Sequence, residues 1–233
     1  MKNGIFKLSL LAGVTLFSGL AMANPSATLA VKGQVSTGTC TAVLPTSNID
    51  LGNISADSLP TTGSLDVLSG GKSYYLQITC TSPLKYQVSL TDNRVDSAIP
   101  ASETALGASY EGRILGLGKT SDDVNIGGYI IALQNITTKI GGADYQDMLV
   151  RTAESGSSWA KAPAGQTITP LNNAAGITDR GYIAMAKTGS LEPEASATAE
   201  FKFSTWAYVS SALRSITDQQ TIDGNVTFNV DYL

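Results

Sequence analysis

Short apolar segments separated by clusters of glycine, serine, threonine, asparagine and aspartate run along most of this chain. Several of them alternate apolar and polar residues, which is the pattern of a β-strand with one buried face. Few stretches carry helix signals. Turn-forming clusters between such segments are typical of an antiparallel sandwich, so the sequence predicts an all-β fold. The predicted strands are 73–79, 85–90, 129–133, 182–186, 201–209 and 226–232.

The last predicted strand, 226–232, alternates strictly. Val226, Phe228, Val230 and Tyr232 fall on one face, and polar residues fall on the other. A strand at the edge of a sheet exposes unpaired backbone groups, and such an edge invites association with another strand unless something covers it. The N-terminal segment of the mature chain is a candidate cover.

That N-terminal segment, TLAVKGQV at 28–35, also alternates. Leu29, Val31 and Val35 are spaced as one face of a strand, but Gly33 stands where the next apolar side chain belongs. Glycine inside a strand weakens it and usually marks close approach of another backbone. We therefore expect Gly33 to lie where there is no room for a side chain.

The first 23 residues have the features of a secretory signal peptide. Lys2 and Lys7 precede an apolar run at 8–20, and the tripeptide AMA at 21–23 fits a cleavage site. A transmembrane span is the alternative interpretation, but the run is short for a bilayer. We expect an exported protein without stable membrane insertion. Removing 23 of the 233 residues leaves 210, enough for one large all-β domain or two small ones.

The charge balance argues against two classes of partner. The chain has 15 basic and 19 acidic residues, and loss of Lys2 and Lys7 with the signal peptide makes the balance more negative. A negative net charge without a basic patch disfavours binding to nucleic acids and to anionic membrane surfaces.

The two cysteines, Cys40 and Cys80, both lie in the exported part. An oxidising compartment permits a disulfide between them, and we expect that bond. Two buried free thiols are the alternative.

The chain contains no histidine. This excludes histidine-based catalytic triads, histidine-ligated metal sites and the commonest general base. Glu192 and Glu194 flank Pro193, and we interpret them as part of a solvated loop rather than as an acid–base pair. The sequence therefore predicts a protein that is not an enzyme and has no catalytic residues, no metal site and no cofactor.

The region from about 96 to 179 is less regular than the rest, with glycine-rich turns. A sandwich needs only about 100 residues, so we interpret this region as an elaboration of one domain, with a small second domain as the alternative. A short helix is predicted near 144–151.

Taken together, these features resemble the pilin subunits of chaperone/usher fimbriae. The resemblance rests on the glycine-containing N-terminal strand, the cysteine spacing, the alternating last strand with its penultimate Tyr232, and FKFSTWAYVSS at 201–211. Several internal pieces are closer to a pilin-related group of exported proteins, the GltF-like family. These pieces are CTSP at 80–83, DNR at 92–94, LGLG at 115–118, Trp159, and RGYIAMAKTG from Arg180.

The resemblance implies an immunoglobulin-like (pilin-type) sandwich that lacks its final strand. Residues 24–39 would be a donor-strand extension, and 40–233 the sandwich domain with its elaborated middle region. Val226, Phe228, Val230 and Tyr232 would flank an open groove that pairs first with a periplasmic chaperone and then with a neighbouring subunit. Leu29, Val31, Gly33 and Val35 of one subunit would fill the groove of the next, as in donor-strand complementation.

The implied function is that of a structural fimbrial (pilus) subunit supporting adhesion. Its implied partners are the periplasmic chaperone, the outer-membrane usher and neighbouring pilin subunits. It would pass through the periplasm to a fimbrium on the cell surface. The alternative is a monomeric periplasmic module, binding or regulatory, whose first and last strands pair within one chain.

Overall fold

The structure, a computed structural model, describes residues 38–140, 143–144, 147–151, 158–163, 167–173 and 181–233. Within these residues there is no α-helix, so the predicted all-β fold is confirmed. The strands are β1 (Cys40–Val43), β2 (Ser64–Asp66), β3 (Lys72–Leu84), β4 (Tyr86–Asp92), β5 (Leu115–Gly116), β6 (Gly127–Ile140), β7 (Ala143–Asp144), β8 (Asp147–Arg151), β9 (Ala160–Lys161), β10 (Tyr182–Ala186), β11 (Ser196–Ser210) and β12 (Val226–Tyr232). Short 3-10 helices cover Ala56–Ser58, Val95–Ser97, Ala101–Glu103, Ala108–Tyr110 and Ser211–Ser215.

Two antiparallel sheets form the sandwich. Sheet 1 has the order β1-β3-β11-β6-β5, with β2 added beside β11 and β7 beside β6. Sheet 2 has the order β12-β4-β10-β8-β9. This arrangement is consistent with the predicted immunoglobulin-like sandwich. Every strand predicted from the sequence lies within or largely overlaps an observed one.

The main core lies between the sheets. Sheet 1 contributes alternate residues of β3 and β11, such as Leu76, Phe201 and Phe203, all at most 1% exposed. Sheet 2 contributes Leu90 and Ile183, which are fully buried. Alternation along β3 places its other face in solvent, as expected for a strand with one buried face.

The middle of sheet 2, at β4, β10 and β8, is covered on both faces. On the face away from the core, Leu149 and the alanines of β10 pack against Trp159. Arg151 is nearly buried there, with its guanidinium 4.5 Å from the ring centroid of Trp159 and its Nε donating to Gln87 Oε1 at 3.0 Å. The described parts of the middle region therefore supply an outer layer over this sheet.

Another part of the middle region covers the outer side of sheet 1. Ile99, Ala101 and Ile114 form a small cluster with Tyr208 of β11, and Trp206 packs against it. Described parts of the middle region thus pack on the outer side of both sheets.

The prediction of a short helix near 144–151 is wrong. Asp147–Arg151 is β8, paired with β10 in antiparallel register from Tyr182↔Arg151 to Ala186↔Asp147. Because both faces of β8 are covered, its sequence DMLVR lacks the alternation that identifies a strand with one wet face.

No helix in the described ranges is long and apolar enough to cross a membrane. The predicted signal peptide, 1–23, lies outside the described residues.

Candidate functional site

β12 is an edge strand among the described residues, because β4 is its one hydrogen-bonded neighbour. At its two ends, Asn93 N donates to Asn225 O and Leu233 N donates to Lys85 O, both at 3.0 Å. In an antiparallel ladder the backbone groups alternate in direction, so odd-numbered residues face β4. The backbone N–H and C=O groups of Val226, Phe228, Val230 and Tyr232 therefore point away from β4, along the open edge.

β1 forms the corresponding edge of sheet 1. Thr81 N donates to Thr39 O at 2.9 Å, so residues 39, 41 and 43 face β3. By the same alternation, the backbone groups of Cys40 and Ala42 point outward. The two sheets thus each present a strand edge on this side of the sandwich.

The two edges meet at one end. The backbone N–H of Cys40 donates to the hydroxyl of Tyr232 at 2.7 Å, which links the start of β1 to the end of β12. Cys40 lies opposite Cys80 in the β1–β3 register, and the two form a disulfide. The predicted disulfide is confirmed. It attaches β1 covalently to β3 at the end where β1 and β12 meet, which we call the closed end.

At the other end the edges separate around a large cavity of about 1460 Å³. Its floor consists of core residues, including Tyr74 and Tyr129 of sheet 1 and Leu117 just after β5. One wall is the irregular segment that follows β1, and the other is the segment that leads into β12. We call the space between the edges of β1 and β12, including this cavity, the groove.

The four predicted groove residues do not share one environment. Val226 and Phe228 line the cavity, and the Phe228 ring lies 5.3 Å from that of Phe203, edge to face. Val230 is half-buried against the main core, outside the cavity lining. Tyr232 is 55% exposed and occupies the closed end. The cavity thus lies beside the first half of β12.

Hydrogen bonds from the turn after β4 position the start of β12. The Asn93 side chain donates to Thr227 Oγ1 at 2.9 Å, and Arg94 Nε donates to Asp223 Oδ2 at 3.0 Å. Asp92 is buried, and its carboxylate accepts from Gly116 N and Arg94 N at 2.9 and 2.8 Å. Burial raises the pKa of Asp92, and these two N–H groups offset part of that rise.

Gly116 is needed for this arrangement. A Cβ atom at Gly116 would lie 2.0 Å from the carbonyl oxygen of Arg94, so a larger residue would separate β5 from the turn. The sequence pieces DNR at 92–94 and LGLG at 115–118 are therefore in contact. Hydrogen bonds to the Asp92 carboxylate join them beside the start of β12.

The sequence interpretation missed the groove walls. Residues such as Ile49, Leu51 and Ile222 are half-buried and line the cavity. The local signal was the short alternation in NIDLG at 48–52, which is too brief to predict a strand. The predicted donor residues Leu29, Val31, Gly33 and Val35 lie outside the described residues.

Residues 29–130 match a protein-family model described as a protein of unknown function, DUF1120. The chain is also similar to Protein GltF of Escherichia coli (strain K12), with 28% identity over 94% of this chain and 93% of that protein. A second similar protein is the uncharacterized protein YhcF of the same strain, with 25% identity over 96% of this chain and 98% of YhcF. These similarities confirm the GltF-like part of the predicted resemblance.

Proposed function

We propose that this chain is a structural fimbrial subunit assembled by donor-strand complementation. In this proposal a periplasmic chaperone and then a neighbouring subunit add a strand beside β12, and an outer-membrane usher exports the growing fimbrium, which supports adhesion at the cell surface. The observation that carries the proposal is the outward-facing backbone edge of β12 beside a cavity with an apolar floor in the described part of the chain. Strand addition uses both features, because the edge supplies main-chain hydrogen bonds and the cavity accepts alternate side chains.

The proposed occupant is the segment 28–35 of a second copy of this chain. Eight extended residues span about 27 Å, which is enough to run along the whole of β12, whose seven residues span about 23 Å. The described lining of the cavity contains Asp50 and Asp218 but no lysine or arginine. Lys32 is the one charged residue in the segment 28–35. The attraction between Lys32 and the acidic residues Asp50 and Asp218 favours encounter of the groove with this segment over encounter with an acidic segment.

Replacement of Gly33 tests the proposal most directly. Gly33→Leu places a large side chain where the entering strand passes a packed core, and overpacking of this kind costs about 1 to 3 kcal/mol. We expect Gly33→Leu to block or slow the formation of heat-stable oligomers from chaperone-bound subunits. The melting temperature of the monomer should not change, because in this proposal the segment joins a sheet only on assembly.

Ala30→Leu is the matched control. Residue 30 falls on the opposite face of the same alternating segment, so this substitution places an identical leucine side chain away from the groove. It should assemble normally. If Gly33→Leu lowers the monomer's melting temperature and neither variant nor the parent protein forms oligomers, the segment pairs within its own chain, and the monomeric periplasmic module replaces the fimbrial subunit.

A further inference from the structure

The two walls of the groove are held in different ways. The wall that leads into β12 is attached by its backbone, since Asp223 N donates to Leu117 O at 2.9 Å. The Asp223 carboxylate is also paired with Arg94. These contacts fix the residues just before β12 relative to sheet 1.

The opposite wall, residues 45–54, has no comparable attachment among the described residues. None of its backbone groups takes part in a backbone–backbone hydrogen bond with another described residue. Its one polar contact with the described residues is local, from Gly52 N to Asp50 Oδ1 at 2.8 Å, and Gly52 adopts a positive φ of 70° that lets the chain turn there. The segment is held to the core through half-buried Ile49, Leu51 and Ile54.

Both ends of this segment are firmly anchored. At the N-terminal end, β1 is paired with β3 and joined to it by the disulfide. At the C-terminal end, Arg214 Nη1 donates to the carbonyl oxygens of Asp57 and Leu59, and Leu59 is buried. A segment fixed at both ends but held between them by apolar side chains alone can lift without unfolding either sheet.

We propose that residues 45–54 form a displaceable strap that partly fills the groove until a strand enters. The side chains of Ile49 and Leu51 are two residues apart, which is the spacing of alternate side chains in an added strand. They line the same cavity as Val226 and Phe228. The strap thus covers part of the apolar floor of the groove in the free subunit, and it moves away when the incoming strand binds. This inference rests on the proposed function of the groove.

The test uses the full mature chain carrying Gly33→Leu, so that its own segment does not compete. A fluorescent synthetic peptide of residues 28–36 is added to it. The strap variant is Ile49→Asn with Leu51→Asn, which weakens the apolar contacts of the strap. The matched control is Val124→Asn with Leu191→Asn, two exposed apolar residues outside the described lining of the groove.

We expect the strap variant to take up the peptide several-fold faster than the parent, and the control to match the parent. Hydrogen exchange on peptide binding should slow at the amides of Val226 and Phe228 and accelerate within 45–54. Slow exchange at Ile183 of β10 in every variant shows that the sandwich remains folded.

The remaining outcomes separate the two proposals. If Val226 and Phe228 become protected but the strap variant binds at the parental rate, or the amides of 45–54 slow on binding, the strap does not yield and this inference is wrong. Strand addition then still stands. If the peptide protects neither Val226 nor Phe228 in any variant, the proposed function fails and the strap inference fails with it.

Discussion

β10 and β12 lie in the same sheet and were both predicted with the bounds they have in the structure, yet their surroundings differ. β10 is hydrogen-bonded to β4 on one side and to β8 on the other. It is covered on both faces, with Ile183 and Met185 in the main core and Ala184 and Ala186 against the outer layer. β12 has one described neighbour, and its apolar residues are only half-buried or exposed.

The sequences of the two strands explain this difference. YIAMA in β10 is a continuous apolar run, which is typical of a strand covered on both faces, whereas VTFNVDY in β12 alternates because one face is wet. The partial burial of Val226 and Phe228 has a separate cause, namely the cavity beside the first half of β12. An alternating strand whose apolar face is incompletely buried is therefore the feature that singles out β12.

The largest expected effect comes from removing the disulfide, which secures the closed end of β12 through Cys40 and Tyr232. Replacing both cysteines by serine should lower the free energy of unfolding by about 4 kcal/mol, since the bond closes a loop between residues 40 apart in sequence. Chemical denaturation of oxidised parent and variant measures this loss. Equal midpoints for the two proteins would contradict it.

The next effect contrasts the two strands directly. Ile183→Ala empties space around a fully buried side chain and should cost about 2 to 5 kcal/mol. Val230→Ala removes less volume from a half-buried site and should cost well under half as much. Urea denaturation of the two variants gives the ratio, and equal losses would show that β12 is packed as tightly as β10.

A smaller effect is expected for Tyr232→Phe. The substitution keeps the ring but removes the hydroxyl that accepts from Cys40 N, so the free energy of unfolding should fall by about 1 kcal/mol. Hydrogen exchange of the Cys40 amide should accelerate while that of Ile183 stays unchanged. Unaltered exchange at Cys40 would mean that the two edges are not joined by this contact.

The smallest expected effect is a pH dependence of stability that comes from Asp147 of β8, which pairs with β10. Asp147, opposite Ala186, accepts from Gly189 N and pairs with Lys161, and these contacts lower the pKa of its carboxyl. Because the folded pKa lies below the unfolded value of about 4, the stabilisation is complete above pH 4 and is lost as the pH falls through the folded pKa. Between pH 5 and pH 2, the parent should therefore lose slightly more stability than Asp147→Asn, as measured by thermal melting at each pH.

Much of the sandwich was predictable because its strands carry local signals. Alternation identified β12, a continuous apolar run identified β10, and two cysteines in an exported chain identified the disulfide. β8 was missed because cover on both faces removes alternation. The burial of Arg151 in the outer layer could not be predicted either, because it depends on contacts with both Gln87 and Trp159, which are distant from each other in sequence.

The candidate site was predictable only in part. The open edge followed from the pattern of β12, but its uneven surroundings did not, because they depend on where β1 and Tyr232 meet. The strap has no repeating pattern long enough to classify, and its place beside the cavity is set by its anchors at β1 and Arg214. Such three-dimensional contacts leave no trace in local periodicity.

The disulfide also determines how the domain responds to mechanical force. Cys40 begins β1, and its bonded partner Cys80 lies on β3, which is paired with β1 on one side and β11 on the other. A pull on the chain ahead of Cys40 passes through a covalent bond into β3. β1 therefore cannot peel away one residue at a time from that end, and β1 and β3 are loaded together against β11, which pairs with β3 from Ser73↔Ser204 to Thr79↔Thr198.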